Sequence, residues 1–160
     1  MRPHMDNIVE TDGALILGAG IAGLFAALKL APMPSIVLAG TRPGVSGSSA
    51  WAQGGIAAAM GEDDRWESHA HDTLVAGAGL CDRAIVEMVT REAPDRIHDL
   101  LALGTPFDRK TDGSLALGRE AAHAMPRIVH VKGDGAGAAI SATLAARAQE
   151  TGSITLLEGF

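Results

Sequence analysis

The chain has 160 residues, of which 47% are hydrophobic and 20% charged, and its formal net charge is -6. This length and composition are typical of one globular domain with its own core and exclude a disordered chain. An acidic balance without a basic run excludes an extended surface for nucleic acid, so we expect no nucleic-acid partner. Because only 3% of residues are aromatic, the core must be mainly aliphatic, which favours close helix-to-sheet packing in an α/β fold.

Cellular location is indicated by three further features. A single cysteine, Cys81, excludes an internal disulfide and is consistent with a reducing compartment. The expected role of the Cys81 side chain is packing. No apolar run reaches the length of a membrane span, and the start MRPHMDNIVETDG has no apolar signal core. We therefore predict a soluble, cytoplasmic chain without a membrane partner.

The first elements in chain order form a predicted strand-helix-strand unit. The short apolar run Ala14 to Leu17 predicts a strand of a parallel sheet, buried on both faces. Helical spacing follows from Ile21 to Ala31, and Ile36 to Leu38 predicts the second strand. The segment from Gly40 to Gly55 is so rich in Gly, Ser, Thr and Pro that we expect an extended loop, and long ordered loops usually serve a ligand.

The turn between the first strand and helix has the sequence GAGIAG, a GxGxxG pattern. Gly18 would allow the tight reversal, Gly20 the approach of a pyrophosphate to the backbone, and Gly23 the close packing of helix on strand. The helix N-terminus would add unpaired amides and the positive end of its dipole. The pattern predicts a dinucleotide site, with a glycine turn that holds no ligand as the alternative.

The middle and end of the chain predict a mainly helical insertion and a return to the sheet. Helical segments are expected over 66–76, from an N-cap at Asp82 to about Glu92, from Pro94 to a C-cap at Gly104, and over 138–149. The stretch Thr105 to Gly118 resembles a short hairpin or loop. A strand is expected over 154–157. Residues 127–131 are expected to form a strand or an extended approach to the loop GDGAG, Gly133 to Gly137.

A second glycine-rich segment, SSAWAQGGIAAAM, is followed by SHAHDTLVAGAGLCD, LLALGTPFDR, LGREAAH and RIVHVKGDGAG. In order and approximate spacing, these segments closely resemble the L-aspartate oxidase family of the succinate dehydrogenase and fumarate reductase flavoprotein superfamily. The resemblance implies an α/β fold: a Rossmann-like FAD-binding βαβ domain with a parallel sheet and a helical insertion. Residues 1–13 would form an N-terminal tail and residues 14–160 the N-terminal part of that domain. Since the match ends at Phe160, we expect an incomplete chain that lacks the family's capping and C-terminal domains.

The resemblance also implies which residues contact FAD. Ser48 stands where membrane-associated relatives place a histidine bonded covalently to the flavin, so a noncovalent FAD is expected. The acidic residue that often holds the ribose is absent, because Leu38, Ala39 and Gly40 occupy its zone. For the loop near Trp51, a glycine-rich connection with Trp51 as a core plug is the alternative. The cofactor-binding residues so predicted are Gly18, Ala19, Gly20, Ile21, Ala22, Gly23, Gly40, Thr41, Arg42, Ser48, Ser49, Ala50, Trp51, Ala52, Gln53, Gly54 and Gly55.

The implied activity is oxidation of L-aspartate to iminoaspartate, with oxygen or fumarate as electron acceptor, in the first step of de novo NAD biosynthesis. This gives a functional link to quinolinate synthase. By its position in the family motif, Glu120 would face the substrate amino group; an ion pair with Arg119 or Arg127 is the alternative. Glycines of that motif are replaced here by Ala121 and Ala122, which restricts the backbone conformations that the turn can adopt. The family's substrate-binding arginines lie beyond this chain, so we expect no turnover by the chain alone.

Two other functions stay open at this point. One is a soluble fumarate reductase or succinate-oxidising flavoprotein, and the other is a non-catalytic, truncated scaffold. We predict no metal site, because His69 and His71 are two residues apart and would point to different faces of a helix. For His123 and His130, which flank the motif close to the flavin, a hydrogen-bonded structural role is the more common one.

Overall fold

The computed structural model describes residues 9–159. Its elements are β1 (Ala14–Leu17), α1 (Ile21–Leu30), β2 (Ser35–Ala39), β3 (Gly55–Ala57), α2 (Trp66–Ala76), α3 (Arg83–Leu103), β4 (Leu117–Gly118), β5 (Ile128–His130), α4 (Ala136–Glu150) and β6 (Ile154–Glu158). The predicted α/β class is confirmed. Most of residues 1–13, the predicted tail, and Phe160 lie outside the described residues. None of the helices within residues 9–159 combines the length and hydrophobicity needed to cross a membrane.

Two three-stranded sheets organise the chain. In the first sheet, the strand order is β1-β2-β6 and all strands are parallel. Helix α1 lies between β1 and β2 in the chain and connects them, as predicted. The second has the order β3-β5-β4 and is antiparallel. Since β3 directly follows the long loop after β2, this loop connects the two sheets.

The core lies between the parallel sheet and the helices α1 and α4. Alternate residues of β2 face these helices and are almost fully buried, as Val37 shows with no exposed surface. The buried cluster that contains Val37 also includes Leu24 and Ala27 of α1, Ile140 and Leu144 of α4, and Ile154 of β6. Aliphatic and alanine side chains thus supply nearly all of this core, as the low aromatic content predicts.

The prediction that β1 is buried on both faces is wrong for the described residues. Leu15 and Leu17 are 60% and 76% exposed, whereas Ile16 packs against the core. Side chains of a strand alternate between faces. The helices cover the Ile16 face of this edge strand, and its other face stays open.

The prediction of two helices separated at Pro94 is also wrong, because α3 runs unbroken from Arg83 to Leu103 with Pro94 inside it. Asp82 does cap this helix, since its carboxylate accepts from the amide of Ile85 at 3.1 Å. A buried stripe of Val86, Thr90, Ile97 and Leu100 continues through Pro94 at helical spacing. We infer that burial of this stripe outweighs the one hydrogen bond that proline cannot donate.

The remaining elements agree with the sequence more closely. Gly104 ends α3 in the left-handed conformation, with φ of 98°. The hairpin after it is closed by the amide of Lys110, which donates to the carbonyl of Ser114 at 2.8 Å. Helix α4 begins at Ala136, two residues before the predicted start, so Gly137 lies in its first turn.

Candidate functional site

A cleft of about 250 Å³ opens where the parallel strands β1 and β2 end. Ligands of open α/β sheets bind at the carboxyl ends of the strands. A larger hollow of about 470 Å³ lies at the amino-terminal edge of the same sheet, beside Pro34 and Ser153, and does not include the glycine motifs. The lining of the cleft is Ala19, Gly20, Ala39, Gly40, Thr41, Arg42, Pro43, Ser46, Gly47, Ser48 and Ser49.

The GAGIAG turn adopts the geometry that its glycines predict. Gly18 has a φ of 104° and donates its amide to the carbonyl of Leu38 at 2.9 Å, which ties the turn to β2. A side chain on Gly23 would overlap the carbonyl oxygen of Gly18. Only glycine therefore lets α1 start this close to the strand.

The first turn of α1 presents free donors to the cleft. Gly20 is the N-cap and provides no side-chain cap. The amide of Ile21 donates to the Ser49 hydroxyl at 3.4 Å, and no acceptor within residues 9–159 pairs with the amides of Ala22 and Gly23. Unpaired amides and the positive end of a helix dipole form a site for an anion such as a phosphate.

The loop over residues 40–55 is fixed in place by α4. A side chain on Gly137 would overlap the Ser49 carbonyl, and the Gly137 amide donates to the carbonyl of Ala52 at 3.2 Å. Gly44, with φ of 80°, packs in the same way against Ala145. Gly137 belongs to this site and was missed. Its signal was the GDGAG loop, which the sequence marks as a loop without indicating what it contacts.

Residues 50–53 connect the cleft to a second cavity. Trp51 is 81% exposed, so its interpretation as a core plug is wrong. Ala52 and Gln53 are also exposed, and Ala50 is half-buried. The whole segment thus lies on the surface, between Ser49 in the cleft and Gly54 in the cavity.

The second cavity, of about 200 Å³, brings Glu120 to Gly54, the first residue of the glycine pair Gly54 and Gly55. A side chain on Gly54 would lie 3.6 Å from the Glu120 carboxylate oxygen. Neither suggested ion pair of Glu120 is found in the described part of the chain. Arg119 donates to the carbonyl of His123, and Arg127 binds other carboxylates. The full lining is Gly54, Gly118, Arg119, Glu120, Ile128, His130, Gly133 and Asp134.

A buried arginine, Arg127, lies behind this cavity. Its guanidinium has no exposed surface and binds both oxygens of Asp64, at 2.6 and 2.8 Å. The same group donates to Asp72 at 2.5 Å and to the Ser68 hydroxyl at 2.9 Å. The hydrogen bond to Asp64 is the main reason that the pKa of Arg127 is raised. These contacts join the start of β5, which Arg127 directly precedes, to α2 and to the turn before α2.

Asp72 also fixes the segment that carries Glu120. Its carboxylate accepts the amide of Ala124 at 2.7 Å in addition to the guanidinium of Arg127. The amide of Ala124, followed by Arg127, lowers the pKa of Asp72 below its ordinary value. The segment between Glu120 and Arg127 is thus held by Asp72 at Ala124 and at Arg127.

Replacing Asp72 with asparagine is expected to lower the free energy of unfolding at pH 7 by about 1–3 kcal/mol, because charge-assisted hydrogen bonds are lost. The folded pKa of Asp72 is depressed. Its contribution is therefore fully present above the unfolded carboxyl pKa and disappears as pH falls through the folded pKa. Urea unfolding of both proteins from pH 7 downward checks this. Exposed Asp63→Asn is the matched control, and a stability difference that stays constant with pH would exclude the carboxylate as its source.

Two histidine rings meet beside this network. His69 and His123 are edge to face, with ring centroids 5.3 Å apart. Burial lowers the pKa of His69, and its Nδ1 has no partner in the part of the chain that is described. No group of three metal-ligating side chains occurs within residues 9–159.

Comparison with known proteins identifies the family. Residues 13–160 match the sequence profile of the FAD binding domain family. The chain belongs to this family. Its cofactor is FAD, and the GAGIAG turn fits that group. The glycines leave space that side chains would fill, and the amides of Ala22 and Gly23 are free to bind a phosphate.

Two curated relatives are L-aspartate oxidases. The one from Mesorhizobium japonicum is 51% identical over 91% of this chain, and the one from Caulobacter vibrioides is 51% identical over 94%. The chain spans only 28% and 30% of these two proteins. The predicted resemblance to this family of flavin oxidoreductases is confirmed over nearly the whole chain.

Solved structures of other flavoproteins contain a domain with the same fold as this chain. Mycobacterium smegmatis Sdh1 superposes with a TM-score of 0.83 at 30% identity, over 92% of this chain and 27% of the other. Escherichia coli quinol fumarate reductase superposes with a TM-score of 0.84 at 28% identity, over 92% and 26%. The fold is thus that of the succinate dehydrogenase and fumarate reductase flavoproteins.

Proposed function

We propose that this chain is the FAD-holding part of a flavoprotein that oxidises L-aspartate to iminoaspartate, with oxygen or fumarate as the acceptor. The observation that carries this proposal is the 51% identity to L-aspartate oxidase over 91% of the chain. In the biological role proposed with it, the reaction is the first step of de novo NAD biosynthesis and supplies quinolinate synthase. The proposed location is the cytoplasm. Residues 14–160 would form the N-terminal part of the FAD-binding domain and residues 1–13 a tail.

The chain's two glycine segments would hold two parts of FAD, the pyrophosphate and the flavin ring. Residues 18–23 would bind the pyrophosphate through the free amides of α1, and residues 40–42 would contact the adenosine. The flavin ring would lie along residues 48–55, beside the second cavity. Ser48 has no side chain able to bond the flavin covalently, so we propose a noncovalent FAD. When bound, FAD would supply the acceptor for the hydride that leaves the substrate with both of the electrons removed in the oxidation.

Glu120 would recognise the substrate amino group. Its carboxylate faces Gly54 and is not held in an ion pair by Arg119 or Arg127. A negative charge here favours the ammonium of L-aspartate over succinate, which has none. Arg119 is the one arginine among the residues that line the cavity. Because a dicarboxylate needs more than one cationic contact, we propose that residues outside this chain complete its binding and that the chain alone does not turn over.

The full-length protein that includes this chain should show L-aspartate as the better reductant of its FAD. The measurement is anaerobic bleaching of the flavin by L-aspartate and, separately, by succinate. Bleaching by succinate alone would favour the soluble succinate-oxidising alternative and contradict the proposal.

Glu120→Gln in the same protein is expected to raise the KM for L-aspartate by about tenfold, or 1.4 kcal/mol, because a charged contact to the ammonium is lost. Reduction by succinate should not slow. Exposed Glu67→Gln is the matched control. If the ratio of the KM for L-aspartate to the KM for succinate is the same in Glu120→Gln as in the wild type, Glu120 does not recognise the amino group.

A further inference from the structure

A histidine that the proposed function leaves unused lies directly beside the glycine pair. His130 ends β5 and is the register partner of Gly55 in β3. Paired residues of antiparallel strands project to the same face. Gly118 of β4 lies beside the imidazole, since a Cβ at Gly118 would be 3.5 Å from Cδ2 of His130. His130 and Gly118 line the same cavity as Glu120.

The imidazole is held by a carboxylate on its far side. Nδ1 of His130 lies 2.8 Å from the carboxylate of Asp108, and the amide of Asp108 donates to the carbonyl of His130 at 2.9 Å. An acceptor at this position places the hydrogen of the neutral ring on Nδ1 and leaves Nε2 as the free lone pair. No group within residues 9–159 pairs with Nε2.

The charges around the ring favour a cationic group in the cavity. Asp108 lies behind His130, and the cavity wall adds two carboxylates and one arginine, those of Glu120, Asp134 and Arg119. An ammonium beside Glu120 would therefore meet a basic nitrogen whose ring orientation is already fixed. An oriented imidazole with a free nitrogen is the usual arrangement of a general base.

We propose that His130 accepts a proton from the α-ammonium of the substrate, with Asp108 as its positioning residue; this rests on the proposed function. One N–H bond of the ammonium breaks, its electron pair stays on the substrate nitrogen, and the proton bonds to Nε2 of His130. The resulting amine has the lone pair that forms the C=N bond when the substrate is oxidised by FAD. Histidine then carries the proton until it returns it to solvent.

The test uses the FAD-loaded full-length protein that includes this chain. The rate of anaerobic flavin bleaching by saturating L-aspartate is measured against pH for the wild type, His130→Asn, His130→Gln and Asp108→Asn. Asparagine at position 130 keeps a donor toward Asp108 but has no group at Nε2, and glutamine has an amide there that does not titrate. Exposed His98→Asn is the matched control.

We expect both His130 variants to bind FAD as the wild type does and to lose at least about 100-fold in rate at neutral pH. Their rates should recover at alkaline pH, where the substrate amine loses its proton without help. Asp108→Asn should lose less, because the imidazole remains but its orientation is no longer fixed.

Three results would overturn the assignment. A His130→Asn rate within about two-fold of the wild type excludes proton transfer. A wild-type rate in His130→Gln would show that His130 acts by hydrogen bonding and not by proton transfer. Loss of FAD from both variants would show that the role of His130 is structural. Failure of the proposed function looks different: wild-type protein that binds FAD would then not be bleached by L-aspartate at any pH.

Discussion

Replacing Arg127 with methionine is expected to lower the free energy of unfolding by about 3–5 kcal/mol. The guanidinium is fully buried and neutralises Asp64, whose side chain is 1% exposed, and Asp72, at 13%. Removing the cation leaves both carboxylates near each other without a counter-charge, and the hydrogen bonds that hold the Glu120 segment are lost. Urea unfolding of the chain at pH 7 measures the effect.

Arg83→Met is the matched control for this substitution. Arg83 is 74% exposed and pairs with Glu87 one helical turn away at 3.5 Å, so its loss should cost about 0.5 kcal/mol or less. Arg127→Lys should restore only part of the stability, because lysine cannot bind Asp64 with two parallel hydrogen bonds. If Arg127→Met costs less than about 1 kcal/mol, the network does not hold this part of the fold.

Gly23→Ala is expected to weaken FAD binding by at least about tenfold and to lower the free energy of unfolding by about 1–3 kcal/mol. The added methyl group would overlap the Gly18 carbonyl oxygen, which is backbone and cannot rotate away. The strand-to-helix turn must therefore open, and the free amides of α1 move from the cleft. FAD titration and urea unfolding of the chain measure the two effects.

The control for this change is Gly152→Ala. A Cβ at Gly152 would meet no atom within 4 Å, and its φ lies outside the left-handed region. This variant should bind FAD as the wild type does and change stability by no more than about 0.5 kcal/mol. Equal FAD affinity in Gly23→Ala and Gly152→Ala would show that the close approach of helix and strand is not needed for the cofactor.

Local sequence patterns predicted the parts of the fold that depend on neighbouring residues. The GAGIAG turn, the strand before it and the helix after it are determined by glycine geometry and by apolar spacing within a few residues. The errors arose where tertiary burial decided the outcome. Pro94 remains inside α3 because the buried stripe continues past it, and Leu17 is exposed because the helices cover only the Ile16 face of β1.

The sequence predicted only those parts of the site that lie within a single segment of the chain. Glu120 and the two glycine segments are visible in the sequence, but the Arg127 network joins residues 63 and 55 positions apart. The contact between Gly137 and the Ser49 loop likewise depends on how α4 packs, which no local pattern contains. The pairing of His130 with Asp108 requires the register of β5 beside the hairpin.

The most direct test of this account is a titration of the chain with FAD, followed by thermal unfolding with and without it. A ligand that binds only the native state must raise the melting temperature. We expect a yellow complex after gel filtration, a melting temperature that rises with FAD concentration, and release of all flavin to the supernatant when the protein is denatured. No flavin absorbance and no shift at saturating FAD would contradict the account and favour a scaffold without cofactor.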